Sequence, residues 1–148
     1  MWTPQRREVI ALVAMLDLAT GGPLAGWVKT QAIAERHDIP LAFLEQIAHR
    51  LCQEGLLGSR RGPSGGLRLA RAPSAIRVGE ILRAVSTREP VEAADAPLDL
   101  EQLVTRSLAA ANVELAQALD ALTLERLCED AERLGLTIRP KTALSFDI

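Results

Sequence analysis

The hydrophobic pattern of the chain begins with an apolar stretch over residues 9–19, which we place in a first helix. Thr3 is the expected cap, Pro4 the first-turn residue, and the run Gly21-Gly22-Pro23 marks the expected stop. A helix needs about 20 apolar residues to span a bilayer, and this stretch is shorter and interrupted by acidic residues. We therefore predict a buried first helix and no membrane partner.

The pattern then predicts two short helices. Thr30 can cap a helix over residues 31–37, residues 38–40 form a turn, and a second helix is predicted over residues 41–53. Two short helices with a three-residue turn form a helix-turn-helix.

The second of these helices has two different faces. The residues at helical spacing that we expect to face the core are Leu41, Leu44, Ile47 or Ala48, and Leu51. The outward face is small at its start and polar further along, with Ala42, Glu45, Gln46, His49 and Arg50. Glu can accept a hydrogen bond from cytosine and Gln can bond adenine, so this face could enter a major groove.

A glycine-rich hairpin is predicted directly after this helix, with strands over residues 56–60 and 67–70. A hairpin in this place makes the fold a winged helix-turn-helix. We expect Gly62, Gly65 and Gly66 to let the wing approach DNA without side-chain bulk, and Pro63 to stiffen it. Arg60, Arg61 and Arg68 can contact phosphates or the minor groove. The simpler alternative is a solvated hairpin with arginines for solubility.

A long helix is predicted from residue 100 onward. Its apolar residues repeat with an eleven-residue period and form one stripe: Leu100, Val104, Leu108, Ala111, Leu115, Leu119 and Leu122. Such a stripe must be covered, and we expect a second copy of the chain to cover it. The alternative is packing against the first helix of the same chain. Thr123 is expected to cap a further helix that reaches Leu134 and ends at Gly135.

The expected fold class is mainly α with a small β-hairpin. We predict a winged helix-turn-helix domain over 1–87, a connecting loop over 88–99, dimerisation helices over 100–135 and a loose tail over 136–148. The chain has 148 residues, 48% of them apolar, enough for a core without disulfides.

The charges are unevenly distributed along the chain. Residues 1–88 hold 12 Lys and Arg against 7 Asp and Glu, whereas residues 89–148 hold 5 Lys and Arg against 12 Asp and Glu. The basic N-terminal part could face a polyanion, although a solvated mixture of charges is the simpler explanation.

The sequence resembles a known family. The runs Thr30-Gln-Ala-Ile-Ala-Glu-Arg-His, Ile39-Pro-Leu-Ala-Phe-Leu-Glu-Gln-Ile and Arg61-Gly-Pro-Ser-Gly-Gly-Leu-Arg-Leu-Ala look like the DNA-binding domain of the IscR/NsrR/CymR-type bacterial transcription regulators. The resemblance implies that Glu45 and Gln46 read bases, and that Arg61 and the wing glycines fix the register. The residues expected to bind DNA are Thr30, Gln31, Ala42, Phe43, Glu45, Gln46, His49, Arg50, Arg60, Arg61, Gly62, Pro63, Ser64, Gly65, Gly66 and Arg68.

Iron-sulfur ligands are scarce in this chain. Cluster-binding members of the family carry three cysteines in the loop before the long helix, whereas residues 88–99 contain none. A cluster needs about four ligands, and the chain has two cysteines and two histidines in total. His49 and Cys52 could share a metal, but a groove-facing histidine and packed cysteines at 52 and 128 are the simpler interpretation, with His37 as a helix C-terminal cap. We expect neither cofactor nor metal.

The function predicted from these features is sequence-specific DNA binding by a cytoplasmic, bacterial transcription regulator. It would act as a homodimer on a pseudo-palindromic operator, as a repressor by family analogy, with a small molecule or protein as its effector. No catalytic constellation can be nominated, so an enzyme is not expected. The alternatives are a winged-helix protein-interaction module, and a regulator whose cluster is ligated atypically across a dimer by carboxylates such as Asp95 or Asp99.

Overall fold

The computed structural model of the protein describes residues 2–21, 26–89 and 97–136. Within those residues it contains six α-helices, one short 3-10 turn and one two-stranded antiparallel hairpin. The predicted fold class is confirmed. In chain order the elements are α1 (Arg6–Thr20), α2 (Thr30–His37), α3 (Leu41–Gln53), β1 (Leu57–Arg60), β2 (Gly66–Leu69), the 3-10 turn (Pro73–Ala75), α4 (Val78–Val85), α5 (Leu100–Ala121) and α6 (Leu124–Arg133).

One hydrophobic core joins α1, α2, α3, α4, α6 and the base of the hairpin. Met15, Ile33, Leu44, Ile81 and Leu124 are completely or almost completely buried in it. Each comes from a different helix, and each occupies an apolar position of its helical pattern. The core therefore fixes the helix-turn-helix against the rest of the chain.

The start of α1 differs from the prediction. The helix begins at Arg6 rather than Pro4, and Gln5, not Thr3, occupies the cap position. The backbone N–H of Gln5 donates to Oε2 of Glu8 at 2.7 Å, which is one half of a capping box. A carboxylate three residues into the helix thus replaces the hydroxyl cap that we expected.

Two smaller corrections concern α2 and α3. Thr30 is the first residue of α2, and Lys29 stands at its cap position without a side-chain capping bond. Leu41 was expected to face the core but its side chain is 38% exposed, since the first turn of α3 extends beyond the core. The remaining inward positions of α3 are buried as predicted: Leu44, Ile47, Ala48 and Leu51.

α5 packs against α4 and has no fully buried residue. Gly79 of α4 permits this approach, because a Cβ at that position would lie 1.9 Å from Oδ1 of Asp120. Arg83 of α4 also pairs with Asp120 at 2.9 Å between Nη2 and Oδ1. Near its start the predicted apolar stripe is open to solvent, with Leu100, Val104 and Leu108 82%, 57% and 60% exposed.

α6 packs on α1 and on the 3-10 turn. Thr123 caps it as predicted, with its hydroxyl accepting from the N–H of Arg126 at 3.2 Å. Around the cap, Val78 N–H donates to Leu122 O at 2.8 Å, and Leu124 N–H donates to Ile76 O at 2.9 Å. Residues 124–133 thus share the core of the domain that we predicted for residues 1–87.

Several predictions fall outside the described residues. They concern Gly22 and Pro23 after the first helix, most of the connecting loop (residues 90–96, with Asp95), and the tail from residue 137 onward.

Candidate nucleic-acid interface

The turn between α2 and α3 is formed by residues 38–40, as the sequence predicts. Asp38 adopts the left-handed conformation with φ 52°, which short polar side chains tolerate. Ile39 N–H then donates to Ala34 O at 2.9 Å, and its side chain is buried. This closes the last turn of α2 and directs the chain into α3.

The outward face of α3 is free of the core along its whole length. Ala42, Glu45, Gln46, His49 and Arg50 are all exposed, as the helical spacing predicts. Phe43 is half-buried and packs against the core instead, so only part of its ring can reach a ligand. The exposed face combines a small residue at its start with acceptors, donors and a cation further along.

α2 is fastened to α1 by a buried carboxylate, that of Asp17. Arg36 donates to it twice, from Nε to Oδ2 at 2.9 Å and from Nη2 to Oδ1 at 2.7 Å. His37 Nε2 lies 2.7 Å from Oδ2. These hydrogen bonds to the Asp17 carboxylate raise the pKa of Arg36. His37 therefore bonds a neighbouring helix, which corrects our expectation of a simple helix cap.

The wing is a hairpin in which Leu57 pairs with Leu69 and Arg60 pairs with Gly66. At its tip Gly65 N–H donates to Gly62 O at 3.0 Å, which closes a turn with Pro63 in its second position. The side chains at the tip point to solvent: Arg60, Arg61, Pro63 and Ser64 are exposed.

Two of the wing glycines are required by the fold of the hairpin itself. A Cβ on Gly65 would lie 2.0 Å from Arg60 O, and a Cβ on Gly66 would lie 2.3 Å from Val28 O. Gly66 also has φ +146°, a conformation that side chains disfavour. Gly62 differs from them, because it has φ +98° and open space around it.

Arg68 is not a free cation on the hairpin. Its guanidinium lies 4.3 Å from the ring centroid of Trp27, a cation–π arrangement. The segment before α2 also reaches the wing through an antiparallel bridge between Val28 and Leu67. The sequence offered no signal for this contact beyond an aromatic residue and a cation in the same region.

The start of α2 contributes two further predicted residues. Gln31 is exposed, and its Nε2 donates to Oε1 of Glu35 at 3.1 Å along the helix. Thr30 is half-buried beside Lys29. Lys29, which precedes them, reaches the wing tip, where its Nζ donates to Gly62 O at 2.6 Å. The structure thus adds Trp27 and Lys29 to the predicted residues on α2, α3 and the wing.

Comparison with known proteins identifies the family. The Rrf2 family, described as "Iron-dependent Transcriptional regulator", matches residues 5–130. The chain belongs to the Rrf2 family. This confirms the resemblance to IscR/NsrR/CymR-type regulators.

Individual Rrf2 relatives agree with this membership. The "HTH-type transcriptional regulator IscR" of Escherichia coli is 47% identical over 75 residues, which are 51% of this chain and 46% of that protein. This chain therefore spans about half the length of the curated relatives that it matches. Among solved structures, T. potens IscR has a TM-score of 0.72 at 28% identity and covers 93% of both chains. CymR (YrzC), the global cysteine regulator of B. subtilis, has a TM-score of 0.71 at 27% identity over 87% of this chain and 98% of its own.

The family description implies iron, but the donors among the described residues do not fit an iron-sulfur cluster. Its two cysteines lie on different helices, Cys52 on α3 and Cys128 on α6, and both pack against the core. Burial raises the pKa of both thiols, which disfavours the thiolate that binds iron. Asp99, a candidate atypical ligand, accepts from Gln102 N–H at 2.8 Å as the cap of α5. Across residues 2–21, 26–89 and 97–136, no three His, Cys, Asp or Glu side chains are grouped to hold a metal ion.

Among the helices that the structure describes, none is long and apolar enough to cross a bilayer.

Proposed function

We propose that this Rrf2-family protein binds double-stranded DNA in a sequence-specific manner and regulates transcription. The observation that carries the proposal is the exposed outer face of α3 beside a basic wing. Glu45 and Gln46 can bond base edges in a major groove, and Arg61 at the wing tip can reach the adjacent phosphates or minor groove. α2, held by Asp17, supports α3 from behind.

The DNA-bound form is proposed to be a homodimer. α5 presents Leu103, Val104 and Leu108 to solvent, each more than half exposed. Apolar side chains in such a row on one helix are costly to leave in water, and a second α5 would cover them. A two-fold dimer carries two copies of α3 and two wings, so the operator would be a pseudo-palindrome. The remaining stripe positions Leu100, Ala111, Leu115, Leu119 and Leu122 would extend the same contact.

The regulator is proposed to work without an iron-sulfur cluster, because its two cysteines lie partly buried on different helices and the described residues form no group of three possible metal ligands. An effector would then be a small molecule or a partner protein. Repression is the proposed sign of regulation, by analogy with the family, and the cytoplasm the proposed location. We propose no catalytic role, in keeping with a transcription regulator family.

The test begins by selecting bound sequences from a pool of random duplexes with the purified full-length protein. Fluorescence anisotropy across a salt series then measures affinity for the selected duplex and for a scrambled one. We expect specific affinity to exceed non-specific affinity by roughly 10³ or more, with log affinity falling linearly with log salt. A selected sequence with two-fold symmetry supports the dimer.

Two variants locate the readout on α3. Glu45→Ala should relax the preference at one base position and cost about 1–3 kcal/mol of discrimination. Glu125→Ala, which removes an exposed acid from α6, is the matched control and should leave the preference unchanged. Failure to enrich any sequence would count against DNA binding and favour a protein-interaction module.

A further inference from the structure

The segment before α2 runs beside the wing as a short third strand. Val28 N–H donates to Leu67 O at 2.9 Å, and Leu67 N–H donates to Val28 O at 2.7 Å. The residues on either side of Val28 each contact the wing through their side chains. Trp27 lies under the guanidinium of Arg68, and Lys29 reaches the wing tip.

The Lys29 contact is made at the wing tip, where Gly62 has a positive φ. Its Nζ lies 2.6 Å from Gly62 O, a hydrogen bond across 33 residues of sequence. The same oxygen accepts from Gly65 N–H at 3.0 Å and so closes the tip turn. The Lys29 ammonium therefore connects the turn that carries Arg61 and Ser64 to the start of α2.

The tip has little else to hold it. Both strands are only four residues long, and the tip lies beyond Leu57 and Leu67, which anchor the hairpin in the core. Gly62 has φ +98° and no atom within 4 Å of a would-be side chain, so packing does not fix this part of the loop. A mobile wing would lose conformational entropy on binding DNA, and that loss would weaken affinity.

We propose that Lys29 is a positioning residue for DNA binding. Its ammonium holds the wing tip against the start of α2 before DNA arrives, so that the wing and α3 approach a duplex in one fixed arrangement. Trp27 supports the same arrangement at the base of the hairpin by holding Arg68. The proposal rests on the proposed DNA-binding function, and it assigns Lys29 to the wing carbonyl rather than to a phosphate.

The first arm of the test needs no DNA. The chain has two tryptophans, so a Trp2→Phe background leaves Trp27 as the sole reporter beside the wing. In that background we would compare Lys29→Met, which keeps the aliphatic stem without the ammonium, with Lys29→Arg, which can still donate to Gly62 O. We expect Lys29→Met to increase acrylamide quenching of Trp27 fluorescence, because a loosened wing exposes the ring. Lys29→Arg should give the same quenching as the parent. Arg6→Met removes a cation at an exposed position of α1 and is the charge control.

The second arm measures DNA affinity with the same variants. We expect Lys29→Met to lower affinity for the selected duplex about tenfold, to leave affinity for scrambled DNA nearly unchanged, and Lys29→Arg to restore binding. Unchanged operator affinity in Lys29→Met would overturn the proposal. So would unchanged quenching together with a salt slope that falls by about 0.9 on both duplexes, because Lys29 would then contact a phosphate directly. If the parent protein binds no duplex at all, the proposed function fails and the role in DNA binding falls with it, while a quenching change would still locate Lys29 on the wing.

Discussion

Arg88 forms an ion pair with Glu8, its Nη1 lying 2.5 Å from Oε1 across 80 residues of sequence. Glu8 is 1% exposed, and Arg88 also donates from Nη2 to Thr3 O. Thr87 N–H adds a bond to Oε1 of Gln5 at 3.2 Å. The chain that leaves α4 is thereby fastened to the start of α1, at the point where the connection to α5 begins.

Replacing Arg88 should destabilise the protein more than replacing a surface arginine. Arg88→Met leaves the buried Glu8 carboxylate without its cation, and we expect the free energy of unfolding to fall by about 3 kcal/mol. Arg126→Met, which removes an exposed pair on α6, should change it by less than about 1 kcal/mol. Urea titration of both variants at one protein concentration measures the difference, and equal effects would contradict this account.

Asp17 is the second buried carboxylate on α1, and Asp17→Asn tests its role. The substitution keeps the side-chain size but removes the charge that pairs with Arg36 and His37. We expect about 3 kcal/mol of destabilisation and weaker operator binding, because α2 loses its attachment to α1. Asp38→Asn is the matched control, since Asn also tolerates the left-handed conformation at that turn. Thermal denaturation and anisotropy report the two effects, and an Asp17→Asn protein that behaves like the control would refute the attachment.

The wing glycines give a comparison within one hairpin. Gly65→Ala would place a Cβ 2.0 Å from Arg60 O, whereas the nearest atom to a Cβ at Gly58 is 3.7 Å away. We expect Gly65→Ala to distort the tip turn and lower operator affinity about tenfold, with helical content by circular dichroism retained. Gly58→Ala should bind nearly as well as the parent. Similar affinities for the two variants would show that the tip turn does not matter for binding.

A charge in the exposed stripe of α5 should separate the protomers. Leu108 is 60% exposed in the single chain, and Leu108→Glu would bury a carboxylate in the proposed dimer contact. We expect a shift from dimer to monomer in sedimentation velocity, together with loss of operator affinity. Gln117→Glu adds the same charge at another exposed position of α5 and should remain dimeric. A Leu108→Glu variant that stays dimeric would place the contact elsewhere.

The thiols should react slowly in the folded protein. Burial raises the pKa of both Cys52 and Cys128, so at neutral pH less of each is present as the reactive thiolate than in an exposed cysteine. We expect the rate of iodoacetamide labelling to rise only above the pH at which ordinary thiols ionise, and to increase at every pH once urea unfolds the chain. Fast labelling of the native protein near neutral pH would contradict the burial of these groups.

The sequence predicted the elements of residues 30–70 closely. The bounds of α3 and the turn at residues 38–40 coincide with the prediction, and the hairpin strands differ by one residue at their ends. The capping of α6 by Thr123 was also predicted. These features depend on local signals, namely helical spacing, caps and turn residues, and such signals lie within a few residues of what they control.

Other features could not be predicted because they depend on partners far away in sequence. Glu8 and Asp17 interrupt an apolar helix, and nothing near them indicates Arg88, 80 residues later, or Arg36. From the sequence of the wing we likewise predicted only that its glycines let the backbone approach DNA. The structure adds a reason that the sequence did not indicate, because a side chain at Gly65 or Gly66 would meet the backbone carbonyl of Arg60 or of Val28.

The sequence by itself determined the helix-turn-helix, the wing and the long apolar helix, because periodicity and turn chemistry are written into neighbouring residues. Only the tertiary structure decided what each charged or small residue contacts. It paired Lys29 with Gly62, Trp27 with Arg68 and Asp17 with α2. Such contacts form only where the packed core brings the two groups within a few ångströms of each other. The sequence indicated where each helix and strand lies along the chain. The contacts of a single side chain depended on how those elements pack together in space.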